Sequence, residues 1–387
     1  MYRMGKEEID AVARVLGAQQ LFKTTAGPYK ETENLEREMR ELFKVDHAVA
    51  MTSGMAALTS ALIGMGIGPG DEVIVPAYTY IATAFAVLAT GAIPVVSEVD
   101  ESLMMDASDV EKKISPRTKA LLPVHMKGYP TDMDKIMTVA KKHKLMVLED
   151  TCQAVGGSYK GKRLGTIGDA GALSFNYFKI ITAGEGGAML TNNKEIFEKG
   201  LIYHDSCAVA YFGDQMQNFS TPVFCGTEYR TNEITSAILR VQFTRLEGIL
   251  SDLRKNKKLL MSALDGHYNF VPSNDPEGEC SSAITFKFDT AKEAKDISSK
   301  VKGLSIPAYV DKHVYCYWDA LFEKRGAAHP LMNPFNMEAN KNAPEFTKDM
   351  CQKSFDILAR SAHLDISPDW TQQDIETIAK NLIEAKK

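Results

Sequence analysis

Three features of the 387-residue chain predict an α/β fold, with a mostly parallel central sheet wrapped by helices and a smaller α+β domain at the C-terminal end. Between residues 47 and 150, short apolar strands alternate with helical stretches at the spacing that crossover connections need. Several of those strands end in polar or aromatic residues, the edge at which open parallel sheets bind ligands. After about residue 250 the alternation stops, and the expected division is a large domain over 1–250 and a small one over 251–387.

Residues 5–17 and 31–43 carry helical spacing, the second with Leu35, Met39, Leu42 and Phe43 on one side. Between them, KTTAGPYKE reads as a loop. His47–Met51 is a short strand that runs into Thr52-Ser53-Gly54-Met55, the head of a helix reaching about Met65. Such a helix head is a ready anion site, since its free N–H groups and dipole both favour a phosphate; plain N-capping by Ser53 or Thr52 explains the same residues. Strands are then expected at 72–75, 94–97, 120–124 and 145–148, with helices at 79–89, 106–113 and 132–143 between them. Asp150, His125 and Tyr78–Tyr80 follow strands at the ligand-binding edge. A helix over 193–204 precedes an irregular stretch, 205–229, long enough to be a functional loop or a subunit contact. Beyond it come a long helical run at 232–264, an alternating strand at 283–288, helices near 290–301 and 371–385, and an irregular loop at 330–344.

Lys179 lies in an apolar and aromatic run (Leu173, Phe175, Tyr177, Phe178, Ile180, Ile181), a costly place for an ammonium unless it works there or reaches solvent. Burial would lower its pKa and make it nucleophilic. Directly after it, Gly184, Gly186 and Gly187 allow a tight bend or a close approach to a bound group. Alone, this pattern fits a lysine presented for covalent chemistry and a snorkelling surface lysine equally well.

A net charge of −5 supplies no electrostatic case for nucleic acid, and 44% hydrophobic with 25% charged residues reads as soluble and globular. With no signal-peptide core at the N-terminus and no long uncharged apolar run, the expectation is a cytoplasmic protein without membrane contact. Cys152, Cys207, Cys225, Cys280, Cys316 and Cys351 form no close CxxC pair, so free thiols are expected and no metal site is indicated.

A Ser-Gly helix head, an aromatic after the second strand, an aspartate at a strand end and a lysine in a Gly-rich loop are together the parts a pyridoxal phosphate (PLP) site needs. They would supply an anion cradle, a stacking group, a carboxylate for the ring nitrogen and an amine for the Schiff base. The stretches SGMAAL, GDEVIVPAYTYIATAFAVLATGAIPV, PVHMKGYPTDMDKI, LEDTCQAVGGSYKGKRLGTIGDAG and SFNYFKIITAGEGGAMLT resemble the motifs of the DegT-type sugar aminotransferases, of PLP fold type I. That resemblance implies amino transfer from glutamate or glutamine to a keto or aldehydo sugar, in a homodimer with shared active sites. It implies that Lys179 is the Schiff-base lysine and proton shuttle and that Asp150 pairs with the pyridinium nitrogen. Tyr80 would stack on the ring, Gln153 would lie near its phenolic oxygen, and Ser174 with the amides of Gly54 and Met55 would hold the phosphate. Arg230 ends a segment that reaches the cofactor of the neighbouring subunit. SNDPEGECSSAITFKF, KHVYCYWDAL and SPDWTQQDIETIAKNL resemble the subgroup that makes 8-amino-8-deoxy-Kdo from an 8-oxo octulosonate.

Two positions depart from the family pattern. Met55 stands where a hydroxyl residue is usual, and Glu228 in Gly226-Thr227-Glu228-Tyr229-Arg230 stands where an asparagine is usual, so a weaker hold on the phosphate is expected unless Glu228 turns away or recruits a cation. A second class of function is a PLP-binding regulator or a relative without turnover. A nucleotide-binding loop is the third, and the chain has neither GxxxxGK[ST] nor GxGxxG after its first strand.

Overall fold

The computed structural model describes residues 3–23, 28–206 and 219–387. Its elements are α1 (Lys6–Gly17), α2 (Glu31–Phe43), β1 (His47–Met51), α3 (Gly54–Gly64), β2 (Glu72–Pro76), α4 (Ala82–Ala89), β3 (Ile93–Ser97), α5 (Ala107–Lys113), β4 (Thr118–Leu121), α6 (Met133–His143) and β5 (Met146–Asp150). A small hairpin, β6 (Ser158–Tyr159) and β7 (Lys162–Arg163), leads to β8 (Ala170–Ser174), β9 (Gly187–Thr191) and α7 (Lys194–His204). Then follow α8 (Glu233–Ala263), β10 (Asn269–Phe270), β11 (Ala283–Lys287), α9 (Ala291–Lys300), α10 (Asp319–Phe322), α11 (Gln352–Ala359), β12 (Ser361–Asp365) and α12 (Gln372–Ala385).

The seven-stranded sheet has the order β1-β9-β8-β5-β4-β2-β3. Pairings from β3 through β2, β4 and β5 to β8 are parallel, and β9 enters antiparallel between β8 and β1. The expected α/β fold is therefore present. The strands are short and almost wholly buried, as parallel sheets covered on both faces require. Most of the flanking helices begin at a residue whose side chain accepts an otherwise orphaned backbone N–H: Ser53, Asp106, Asp132 and Asn193. A three-stranded sheet, β10-β11-β12, forms the core of the C-terminal part.

Most expected elements hold to within one or two residues. The helix expected from Thr79 begins instead at Ala82, because Tyr78–Ile81 is drawn into backbone pairing with the C-terminal part: Thr79 N donates to His313 O and Ile81 N to Lys312 O. β12 and α11 carry no expectation from sequence. SAHLD does alternate polar and apolar residues over its five positions, and β11 fixes it as a strand by a full antiparallel register from Ala283↔Asp365 to Lys287↔Ser361.

α8 is 31 residues long, roughly 45 Å at the standard rise. Near its start it is tied to the N-terminal helices by Arg240 to Glu31 and Glu38, and by Arg245 to Glu7 and Glu8, and it also packs on α12. Residue 250 lies within it, so one rigid element runs through both parts of the chain.

α3 and α7 cross so closely that a Cβ on Gly64 would lie 2.5 Å from Ile196 O. Gly64→Ala is therefore expected to destabilise the protein by about 1–3 kcal/mol through overpacking, read as a lower urea midpoint with unchanged slope.

Candidate active site

Asp150 is the last residue of β5 and is buried. Both carboxylate oxygens are engaged, Oδ2 by the Thr83 hydroxyl at 2.7 Å and Oδ1 by Cys152 N at 3.1 Å. Thr83 is in turn 2.6 Å from the Thr79 hydroxyl, so a short chain of hydroxyls leads from the Tyr78–Ile81 turn to the carboxylate. Each oxygen keeps a lone pair for a further donor. Thr79 and Thr83, one helical turn apart, are functional neighbours that sequence reasoning missed; their i, i+4 spacing was the available signal.

The helix head beside Asp150 forms a cradle. Ser53 caps α3 by accepting Ala56 N at 3.1 Å, which leaves the Gly54 and Met55 amides among those without an acceptor inside the helix. A Cβ on Gly54 would fall 2.7 Å from Cys152 Sγ and 2.9 Å from Ser174 Cβ. The end of β8 and the turn after β5 are thus in contact with the first turn of α3, and Ser174 Oγ lies beside Gly54. On the other side, a Cβ on Gly187 would lie 2.2 Å from Ser53 O.

Lys179 lies in the loop between β8 and β9, closed by Phe175 N to Gly186 O at 2.8 Å and Tyr177 N to Gly184 O at 2.9 Å. Gly184 has φ of +84°, the left-handed conformation that glycine adopts at least cost. The aromatic run does not bury the lysine as a block. Phe175, Ile180 and Ile181 enter the core while Tyr177 and Phe178 are exposed, which leaves Lys179 half-buried at the boundary. The Cys152 thiol records its place: burial pushes that thiol well up, Asp150 acts in the same direction and the Lys179 ammonium opposes both. Cys152 therefore lies within electrostatic reach of both groups.

Tyr80 is 44% exposed, and its ring centroid is 5.3 Å from that of His313. Gln153 accepts Lys127 N on Oε1 at 3.2 Å, an orientation that leaves its amide nitrogen to donate. His313 had not been singled out from sequence, because only the tertiary fold brings its segment to this edge; Lys127 lies two residues beyond His125, at an edge the sequence did indicate, and was passed over.

His125 does not join this crevice. Its ring is fully buried; Nδ1 accepts Thr131 N at 3.1 Å, so Nε2 carries the proton and donates to Glu149 Oε2 at 3.0 Å. Glu149 also accepts Gly165 N, Ile167 N and Gly168 N at 2.9, 2.6 and 2.8 Å. Side chains alternate along a strand, so Glu149 and Asp150 emerge on opposite faces of β5, and His125 serves the structural face.

Arg230 stands at the start of the chain's approach to α8, bridged to Met51. Its guanidinium is paired with buried Asp205 and with Glu228 (3.0 Å), and lies 4.6 Å from the centre of the Phe22 ring. Glu228 thus recruits a cation from its own segment. Residues 207–218 of the expected 205–229 loop, with Cys207, are outside the described residues; the other five cysteines are free thiols.

The acidic strand end, anion cradle and half-buried lysine fit a phosphorylated heteroaromatic aldehyde. Glycines let the segments of the cradle meet, Asp150 keeps acceptor capacity, and an amine is at hand. Fold and site together define an α/β protein with the architecture of the aminotransferases. Its architecture matches the crystal structure of 3-amino-5-hydroxybenzoic acid synthase with a TM-score of 0.81 at 25% identity, over 99% of this chain and 97% of that one. It matches Streptomyces venezuelae DesV, solved in complex with a ketimine intermediate, with a TM-score of 0.77 at 30% identity, over 98% and 95%. For an aminotransferase from Psychrobacter cryohalolentis the TM-score is 0.80 at 27% identity, over 98% and 96%. The chain belongs to the DegT/DnrJ/EryC1/StrS aminotransferase family, whose model matches residues 2–383. It is 42% identical over 249 residues to dTDP-3-amino-3,4,6-trideoxy-alpha-D-glucose transaminase of Streptomyces venezuelae, covering 64% of this chain and 62% of that protein. It is also 42% identical over 213 residues to GDP-perosamine synthase of Caulobacter vibrioides, covering 55% and 56%. The match thus spans less than two thirds of the length of either curated relative. The resemblance to the DegT-type family holds.

The structural face of β5 is open to a direct check. Glu149→Gln replaces an acceptor of four N–H groups with one that has a single acceptor oxygen, and is expected to cost about 3 kcal/mol or more in urea unfolding.

Proposed function

We propose that this chain is a PLP-dependent aminotransferase that moves an amino group from glutamate or glutamine to a keto or aldehydo sugar. The observation that carries the reading is the convergence of Asp150, Lys179 and the Gly54–Ser174 cradle at one edge of the sheet. The bound cofactor supplies an electron sink next to the substrate amine. The chain's own residues hold it and move protons. The Gly54 and Met55 amides with Ser174 Oγ bind the phosphate. Asp150, oriented by Thr83 and Cys152 N, keeps the ring nitrogen protonated. Tyr80 covers the ring and Gln153 donates from its free amide nitrogen to the phenolic oxygen. Lys179 Nζ would hold the cofactor covalently and, once the substrate amine has displaced it from that bond, would be free to take the proton from the substrate carbon and return it on the other side of the transfer.

In this reading the active unit is a cytoplasmic homodimer. Exposed Tyr177 and Phe178, beside Lys179, are the kind of surface that a second copy covers, and Arg230 serves the neighbouring site from its Asp205–Glu228 clamp. The chain divides along α8, at about residue 250, into a large PLP-binding part and a smaller α+β part. Both curated relatives are named for nucleotide-linked amino sugars, which supports an acceptor of that class; the C-terminal segments KHVYCYWDAL and SPDWTQQDIETIAKNL support an 8-oxo-Kdo type acceptor.

Protein loaded with PLP should shift to the pyridoxamine phosphate spectrum on addition of glutamate or glutamine and return with a keto acid. A panel of nucleotide-linked keto sugars, keto cyclitols and 8-oxo-Kdo then identifies the acceptor. Lys179→Ala should slow the shift roughly 10²–10⁴-fold, and borohydride reduction should label the Lys179 peptide only in the wild type. A spectrum that no donor changes would instead support a PLP-binding regulator.

Shared sites predict complementation. Mixing Lys179→Ala chains with Arg230→Ala chains should restore activity in the heterodimer, whereas mixed dimers that stay inactive would place each site within one chain.

A further inference from the structure

Lys127 occupies an unusual place for a lysine. It sits in the turn Met126–Gly128 with φ of +54°, a left-handed conformation rare for a residue with a side chain. The turn is clamped from both sides: Lys127 N donates to Gln153 Oε1 at 3.2 Å, and Lys127 O accepts the Ser282 hydroxyl at 2.9 Å. The side chain is thereby held beside the candidate site, and Nζ reaches Asp365 Oδ1 at 2.8 Å. The side chain of Asp365, the last residue of β12, is 51% exposed.

His313 reports the charge around it. Its Nδ1 donates to Asp311 O at 3.1 Å, and its ring lies against Tyr80. Burial, followed by the Lys127 and Lys179 ammonium groups, lowers its pKa, with the Asp311 carboxylate and backbone opposing. The Lys127 and Lys179 ammonium groups thus both bear electrostatically on the imidazole that flanks Tyr80. Among the described residues Lys127 has one carboxylate partner, and ion pairs this exposed contribute little, so exchange for a better-placed carboxylate costs little.

We propose that Lys127 is a specificity-determining residue that binds a substrate carboxylate, and that Asp365 is the internal carboxylate it releases when that substrate arrives. The proposal rests on the aminotransferase reading of the site. It names the substrate chemistry as carboxylate-bearing, from the amino donor, from an acidic sugar acceptor, or from both in turn.

The opposed effects of the two partners provide the test. Calorimetric titration of the PLP-loaded protein with glutarate, glucuronate and glucose, at constant ionic strength, measures binding without turnover. Lys127→Met should weaken binding of at least one acid roughly tenfold or more and leave glucose unchanged, and Lys127→Arg should recover most of the loss. Asp365→Asn should tighten the same acid several-fold, because it removes the competitor. A response confined to glutarate assigns the subsite to the donor, one confined to glucuronate assigns it to the acceptor, and a response to both makes it shared. A purely structural ion pair would make both substitutions weaken binding together. That result, acid affinities insensitive to Lys127→Met, or no acid binding by the wild type would overturn the proposal. Amino transfer by the wild type is scored separately: acid binding that follows Lys127 without transfer would leave the subsite standing and remove the enzyme reading, and transfer without such binding would do the reverse.

Discussion

The candidate site depends on a convergence of three chain segments at a point with no room for a side chain. The head of α3, the turn after β5 and the end of β8 meet at Gly54, where a Cβ would lie 2.7 Å from Cys152 Sγ. Antiparallel β9, between β1 and β8, brings Gly187 closer still to its neighbour, a Cβ there lying 2.2 Å from Ser53 O. Glycine is needed at Gly54 because the Cys152 and Ser174 side chains pack against its backbone, and at Gly187 because backbone approaches backbone. The free amides of a helix N-terminus, a serine hydroxyl and the lysine loop are brought to one place as a result, and the helix dipole adds to their preference for an anion.

The second constraint is the alternation of β5. Glu149 and Asp150 are neighbours in sequence and opposites in role. Glu149 collects three backbone N–H groups and the His125 ring, which fastens the loop 165–168 beneath the sheet. Asp150 faces the crevice with one hydroxyl and one amide as partners. A buried carboxylate is stable only when its acceptors are satisfied. Glu149 meets this condition wholly within the chain, and Asp150 meets it with capacity left for a bound donor.

The two parts of the chain are joined by buried polar contacts as well as by α8. Tyr78 OH is 2.6 Å from His363 Nε2, and the other ring nitrogen of His363 is 2.8 Å from the Thr285 hydroxyl. Lys257 on α8 reaches Tyr129 OH at 2.9 Å and Glu279 at 2.5 Å, with the Tyr129 ring centroid 4.1 Å away. These contacts pin the Tyr78–Ile81 turn and the 126–129 turn, which carry Tyr80 and Lys127. Directional bonds in a low-dielectric setting hold such turns more exactingly than apolar packing alone.

The sequence by itself determined the α/β class, the order of the strands and helices as far as β5, the Ser53-Gly54 helix head, Asp150 at a strand end and Lys179 before its glycines. Each of these is written locally, in hydrophobic period, in caps and in turn residues. It did not determine that His125 turns away from the crevice, that Lys127 pairs with Asp365, or that His313 stands beside Tyr80. Those outcomes depend on which face of a strand a residue takes and on partners more than a hundred residues away, such as Asp365 for Lys127 and Tyr80 for His313. Local pattern carries no information about such pairings, because they come into being only when the sheet and the C-terminal part pack together.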